Sequence, residues 1–207
     1  MSDLIFYTNP QSRGRIVRWA LEEAGANYEV RVMNYADSMK SDEYLAVNPM
    51  GKVPAISHNG KVVTECAAIC AYLADAFPDA GLAPAPTDRA DYYRWLFFAA
   101  GPVEHAVTNK NAGFTPSPEQ GRMFGYGNYD QAIDVLEGAI ANTPYVCGDA
   151  FTMADVYIGS QVMWGLQFGT IPKRDAFSAY SERLGEREAL KRAWTLDNEL
   201  AETNQIA

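Results

Sequence analysis

Cysteine, histidine and long apolar runs are all scarce in this sequence. Three cysteines, Cys66, Cys70 and Cys147, are too few for a disulfide ladder. The two histidines, His58 and His105, stand at no metal-ligand spacing from them, so no metal is expected. No stretch approaches the ~20 apolar residues that span a bilayer. The opening Met1-Ser2-Asp3-Leu4 has no basic segment followed by an apolar one, and a soluble, cytoplasmic protein without membrane contact is the expectation. Positive charge is short as well: a formal net charge of -9, with no dense run of Lys and Arg, repels a phosphate backbone and argues against a nucleic-acid partner.

What is present is an ordinary globular composition, 48% hydrophobic and 21% charged, which opposes disorder. The 207 residues suffice for one large domain or two small ones. The apolar run Leu4-Ile5-Phe6-Tyr7 predicts a strand, Asn9-Pro10 a turn, and Ser12 a helix N-cap. Ile16, Trp19, Ala20 and Glu23 follow at helical spacing, Gly25 stops the helix, and Tyr28 to Val32 alternates as a second strand. After the break at Asn48-Pro49, the pair Asn59-Gly60 predicts a hairpin of Ala55 to His58 with Lys61 to Thr64. A helix carrying Cys66, Ile69, Cys70, Leu73 and Phe77 on one stripe completes the order βαβ, then αββα, of a thioredoxin-like domain.

A linker rich in Pro, Ala and Gly follows, and no convincing strand comes after it. Helical periodicity predicts helices over Asp88 to Val107, Pro118 to Ala141, Thr152 to Phe168, Ala176 to Leu184 and Glu186 to Leu200. The expected fold is therefore an α/β N-terminal thioredoxin-like domain over residues 1–78, a linker over 79–86, and an all-α C-terminal helical domain over 87–207. Phe151-Thr152-Met153-Ala154-Asp155-Val156 reads as a capping box with a hydrophobic staple, a structural role.

The chemistry is carried by Val53-Pro54, which stands after a short loop and directly before an apolar strand. That placement predicts a fixed X-Pro bond, cis being one way to make it, and leaves the Val53 amide and carbonyl free to pair with a peptide-like ligand. Taken in order, Ser12-Arg13-Gly14-Arg15, Asn48-Pro49-x-Gly51-Lys52-Val53-Pro54, Thr64-Glu65-Cys66-Ala67-Ala68-Ile69 and the late Thr-x-x-Asp cap resemble the cytosolic glutathione S-transferases, of bacterial and serine type. The resemblance implies that glutathione is the co-substrate and that no metal takes part. It implies that Val53, with Pro54, pairs with the cysteinyl unit, and that Glu65 and Cys66 open a helix whose amides and dipole hold the γ-glutamyl carboxylate. Lys52 and Lys40 are candidates for the glycyl carboxylate. The family places Ser or Thr where Cys66 stands, and a thiol is a weaker donor.

The same resemblance asks for a group after the first strand that donates to the glutathione sulfur. Ser12 is the first choice, with Tyr7 and Asn9 as alternatives. The turn Asn9-Pro10-Gln11-Ser12 holds no cysteine, which excludes dithiol exchange from that position. The aromatic load of the second half puts Tyr93, Phe97, Trp164 and Phe168 forward as a hydrophobic substrate pocket, although aromatic stripes at helical spacing are more often core. The implied function is transfer of glutathione to a small hydrophobic electrophile, in detoxification, or a related glutathione-dependent peroxidase or thiol transfer. The alternative is a non-catalytic glutathione-binding or regulatory protein that keeps the fold. A homodimer is expected by analogy with the family.

Overall fold

The structure, a computed structural model, describes residues 3–204. Met1 and Ser2, used above in the reading of the chain's start, and residues 205–207, assigned above to the helical domain, lie outside the described residues. The chain divides into two compact units, one made of Met1–Leu82 with Glu186–Ala207 and the other of Ala83–Gly185.

The first unit runs β1 (Leu4–Thr8), α1 (Gly14–Glu23), β2 (Glu29–Val32), α2 (Asp42–Leu45), β3 (Ala55–His58), β4 (Lys61–Thr64) and α3 (Cys66–Ala76). Its four strands lie in the order β2-β1-β3-β4, with β2 parallel to β1 and the other pairs antiparallel. This is the expected thioredoxin-like domain. The hairpin falls where Asn59-Gly60 places it, pairing Ala55 with Thr64 and His58 with Lys61. Asn59 and Gly60 both take positive φ, 52° and 74°, as a two-residue hairpin turn requires. Ser12 does not occupy the N-cap itself: α1 starts at Gly14 after Arg13, and the Ser12 hydroxyl accepts the Gly14 N–H at 2.9 Å. Gly14 is required there, because a Cβ would overlap the buried Thr8 hydroxyl of β1.

The second unit runs α4 (Ala90–Phe98), α5 (Glu104–Asn111), α6 (Tyr129–Ile140), α7 (Met153–Phe168) and α8 (Asp175–Gly185). The single helix expected over Asp88 to Val107 is interrupted by a π turn at Ala99–Val103, where Pro102 has no N–H to give. The helix expected from Pro118 begins only at Tyr129, capped by Asn128, whose side chain accepts the Gln131 N–H at 2.9 Å. The glycines Gly121, Gly125 and Gly127 stand in the segment before it. Thr152 and Asp155 form the expected capping box of α7.

One expectation needs correction. The last helix, α9 (Glu188–Asn204), read above as part of the helical domain, packs on α1 in the first unit. Arg18 holds Asp197 at 2.6 Å with both side chains buried, and its guanidinium lies 5.3 Å from the Phe6 ring centroid. Arg187 meets Glu23 at 2.6 Å, Arg15 meets Asn198 at 2.9 Å, and Arg192 meets Glu22 at 3.3 Å. Burial raises the Asp197 carboxyl while Arg18 opposes that shift. Removing Arg18 would leave a buried carboxylate alone, a change that costs about 3–5 kcal/mol.

Candidate functional site

The strand register gathers the sequence-predicted residues. Tyr7 pairs with Ala55, and Ala55 with Thr64. The chain therefore leaves β1 toward Asn9 and Ser12, enters β3 from Val53 and Pro54, and leaves β4 toward Glu65 and Cys66, all at one end of three adjacent strands. The Cys66 thiol donates to the Arg13 carbonyl at 3.7 Å, which ties the first of these segments to the third.

The Val53-Pro54 bond is cis. Among the described residues, no backbone hydrogen bond engages the Val53 amide or carbonyl. The loop before it is tightly fixed. Asn48 makes an Asx turn by accepting the Met50 N–H at 3.1 Å, and its carbonyl accepts the Gly51 N–H at 2.8 Å. Gly51 has φ of 57°, a conformation that favours glycine. Its carbonyl receives the Lys40 ammonium at 2.8 Å. The next carbonyl, that of Lys52, receives both the Tyr44 hydroxyl at 2.7 Å and the Asn48 amide at 2.8 Å. Lys40 and Lys52 are both exposed residues at the edge of this loop, the Lys40 ammonium being engaged by the Gly51 carbonyl. Tyr44 and Asn48 are the residues that sequence reasoning missed; the Asn-Pro-x-Gly spacing marks the turn, but nothing marks Tyr44.

The three candidates for the sulfur-facing group differ in what their donors already do. Ser12 is half-buried, and its hydroxyl donates to the Asn9 carbonyl at 2.7 Å while accepting from Gly14. Asn9 is fully buried: its amide donates to the Met33 carbonyl at 2.9 Å and its oxygen accepts the Gln11 N–H at 2.9 Å. Tyr7 is buried in a cluster with Met33, Met39, Tyr44 and Ala55, its ring 5.5 Å from that of Tyr44. Ser12 alone of the three is more than marginally exposed.

Glu65 precedes α3 with φ of 66° and ψ of 120°, a left-handed conformation that costs a non-glycine residue about 1–3 kcal/mol. Its carboxylate is exposed and makes no capping bond to the helix. Cys66 and Cys70 are buried on the inner face of α3, and burial pushes the Cys70 thiol well above its ordinary value. The Cys147 thiol is pushed up to about 11, by burial first and by the nearby Asp155 and Asp91 carboxylates after it, against a hydrogen bond from Thr152.

In the second unit the aromatics divide. Tyr92 and Trp95 are core, whereas Phe97 is 73% exposed and Tyr93 43% exposed on α4; on α7, Phe168 is 69% exposed and Trp164 half-buried. A cavity of about 320 Å³ opens elsewhere in the same unit, between the π turn and α6, lined by Phe98, Pro102, Phe124, Tyr126, Gln131 and Val135 among others. None of the four aromatics proposed for the substrate lines it.

Residues 2–75 match the N-terminal domain of glutathione S-transferases. Glutathione S-transferase GstA of Escherichia coli O157:H7 is 30% identical over 159 residues, covering 73% of this chain and 77% of the relative. A sphingomonad glutathione S-transferase solved in complex with glutathione is similar at 28% identity, with a TM-score of 0.76 over 94% of this chain and 98% of the other. A glutathione transferase from Methylococcus capsulatus is similar at 27% identity, with the same TM-score and the same coverage. This chain belongs to the glutathione S-transferase family.

Proposed function

We propose that the chain is a glutathione transferase: it binds glutathione at the shared end of β1, β3 and β4 and holds its thiol as a thiolate for attack on a small hydrophobic electrophile. The observation that carries this is the convergence of Ser12, the Val53 backbone and the opening of α3, in a chain whose relatives are glutathione S-transferases. The Val53 amide and carbonyl pair with the cysteinyl unit as another strand would. The α3 amides take the γ-glutamyl carboxylate, the Glu65 carboxylate takes the α-amino group, and Lys52 or Lys40 takes the glycyl carboxylate. Ser12 turns its proton from the Asn9 carbonyl to the sulfur. The thiol proton passes to solvent, sulfur bonds to the electrophilic carbon, and the leaving group departs with its electron pair.

A free thiol with pKa near ~8.5 is mostly protonated at neutral pH, so each unit of lowering supplies up to about tenfold more nucleophile. The test is a pH titration of bound glutathione by the ultraviolet absorbance of its thiolate, in the wild type and in Ser12→Ala. The expected result is a thiol pKa lowered in the complex and restored by the substitution, with turnover falling about 10- to 1000-fold and binding nearly intact. Binding with an unshifted thiol would remove the catalytic reading. Tyr93, Phe97, Trp164 and Phe168 are proposed as the apolar surface for the electrophile, on the ground of the exposed rings of Tyr93, Phe97 and Phe168 and the half-buried ring of Trp164. The same reading extends to a homodimer in the cytoplasm that clears reactive electrophiles. A strict monomer at micromolar concentration, measured by light scattering, would remove the dimer.

A further inference from the structure

The Lys52 carbonyl takes two donors from side chains that lie outside the residues assigned to glutathione. An acceptor carbonyl has two lone pairs, and here the Tyr44 hydroxyl and the Asn48 amide each answer one, at 2.7 Å and 2.8 Å. That carbonyl shares one planar, resonance-coupled peptide group with the Val53 N–H. Hydrogen bonds to the oxygen draw electron density toward it and make the N–H at the other end a stronger donor; bonds in a chain reinforce one another by roughly 10–30% each. They also hold the plane at one angle, so the direction of the N–H is set before any ligand arrives.

We propose that Tyr44 and Asn48 are positioning residues for glutathione, fixing and polarising the Lys52–Val53 peptide so that its N–H is aimed at, and strengthened toward, the cysteinyl carbonyl of the ligand. This rests on the reading of Val53 given above. Both side chains are themselves held. The Tyr44 ring is buried against Tyr7, Met33, Met39 and Ala55, and the Val53 side chain packs on the same cluster. Burial pushes the Tyr44 phenol up to about 12, so it remains a donor throughout the neutral range. Asn48 is oriented by the Met50 N–H on its side-chain oxygen, which leaves the amide nitrogen turned to Lys52. A hydroxyl that merely satisfied a buried carbonyl would have no stake in the ligand's acceptor, and that separates the two roles.

The experiment compares glutathione with its ester analogue, in which the cysteinyl-glycine amide is replaced by an ester whose carbonyl is a weaker acceptor, by calorimetric titration of wild type and Tyr44→Phe. The variant keeps the ring, and the Lys52 carbonyl keeps Asn48, so the thermal midpoint is expected to change little. Tyr44→Phe removes no bond to the ligand, only part of the polarisation and aim of the Val53 N–H, and should weaken glutathione binding about two- to threefold. It should weaken the ester less, so that the preference for glutathione over the ester falls about 1.5-fold or more. Equal weakening of both ligands would reduce Tyr44 to a structural role and overturn the proposal. So would unchanged affinity for glutathione in Tyr44→Phe, with the reading of the site left standing. A wild type that binds no glutathione would overturn both.

Discussion

Helix α7 begins with a capping box built from its own residues, whereas helix α3 begins with Glu65 in a left-handed conformation, its side chain making no capping bond. Every α-helix starts with four N–H groups lacking intrahelical partners, and the positive end of its dipole lies there. At α7, Thr152 accepts the Ala154 N–H at 3.2 Å, and Asp155 returns a bond to the Thr152 N–H at 2.9 Å. At α3, the residue in the capping position holds its carboxylate out to solvent. One helix start is closed by its own capping box, and the other begins at a residue in a costly conformation whose side chain makes no capping bond, the start proposed above to take the ligand's carboxylate. Each start also has a cysteine beside it, Cys147 within reach of Thr152 and Cys66 as the first residue of α3.

The largest expected effect comes from opening the closed end. Asp155 is fully buried and accepts four hydrogen bonds: from Val146 N–H and the Tyr180 hydroxyl on one oxygen, and from the Thr152 N–H and hydroxyl on the other. Burial raises its carboxyl, and these donors work against that shift. Asp155→Ala orphans several of them at once, and a loss of at least about 3 kcal/mol in unfolding free energy is expected. Denaturant titration measures it, and glutathione affinity of the folded fraction should be unchanged. A variant as stable as wild type would mean that the capping box contributes nothing to α7.

Next is Cys147, at the closed end. A helix start ordinarily acidifies a thiol. Here burial and the neighbouring carboxylates win, with the thiol at about 11. Its alkylation by iodoacetamide, followed by mass spectrometry of the native protein, should therefore be slow at pH 7.5 and rise about a hundredfold by pH 9.5, against roughly tenfold for an unperturbed thiol over the same range. Rapid labelling at pH 7.5 would show that this helix start is not electrostatically closed.

The open end is tested through Glu65→Gln. The backbone conformation and size are retained while the charge goes, so the melting point should hold and glutathione affinity should fall about 10- to 100-fold, the scale of a charge-assisted hydrogen bond to the α-amino group. Titration calorimetry reads the loss. Equal affinity would remove Glu65 from the ligand and leave only the α3 amides.

These two ends were legible from sequence to different depths. The capping box is local, four residues whose hydrogen bonds are fixed by their spacing, and the Asn59-Gly60 hairpin is local in the same sense. The loop at Val53-Pro54 announced itself because proline removes a donor where a strand begins. By contrast, Arg18 and Asp197 meet across most of the chain, and no periodicity in α9 says which unit it will cover. Tyr44 reads as one more aromatic in a polar stretch; its hydroxyl matters only because the fold brings the Lys52 carbonyl to it. The late start of α6 was masked by apolar residues such as Met123 and Phe124, which turn out to be exposed ahead of the Asn128 cap.

The smallest expected effect is the most discriminating for Cys66. Its thiol donates to the Arg13 carbonyl at 3.7 Å and is nearly buried, so the side chain joins α3 to the turn that carries Ser12 rather than facing outward. A serine there is a stronger donor that fills nearly the same space, though its shorter Cβ–O bond reaches less far toward the same carbonyl. Cys66→Ser should therefore change glutathione affinity by less than about threefold, with any change toward tighter binding, because the α3 amides stay where they are. Activity with glutathione should follow affinity. Loss of turnover in Cys66→Ser with binding intact would instead make the thiol a participant in the chemistry, and the open end of α3 would then hold a reactive group as well as a ligand.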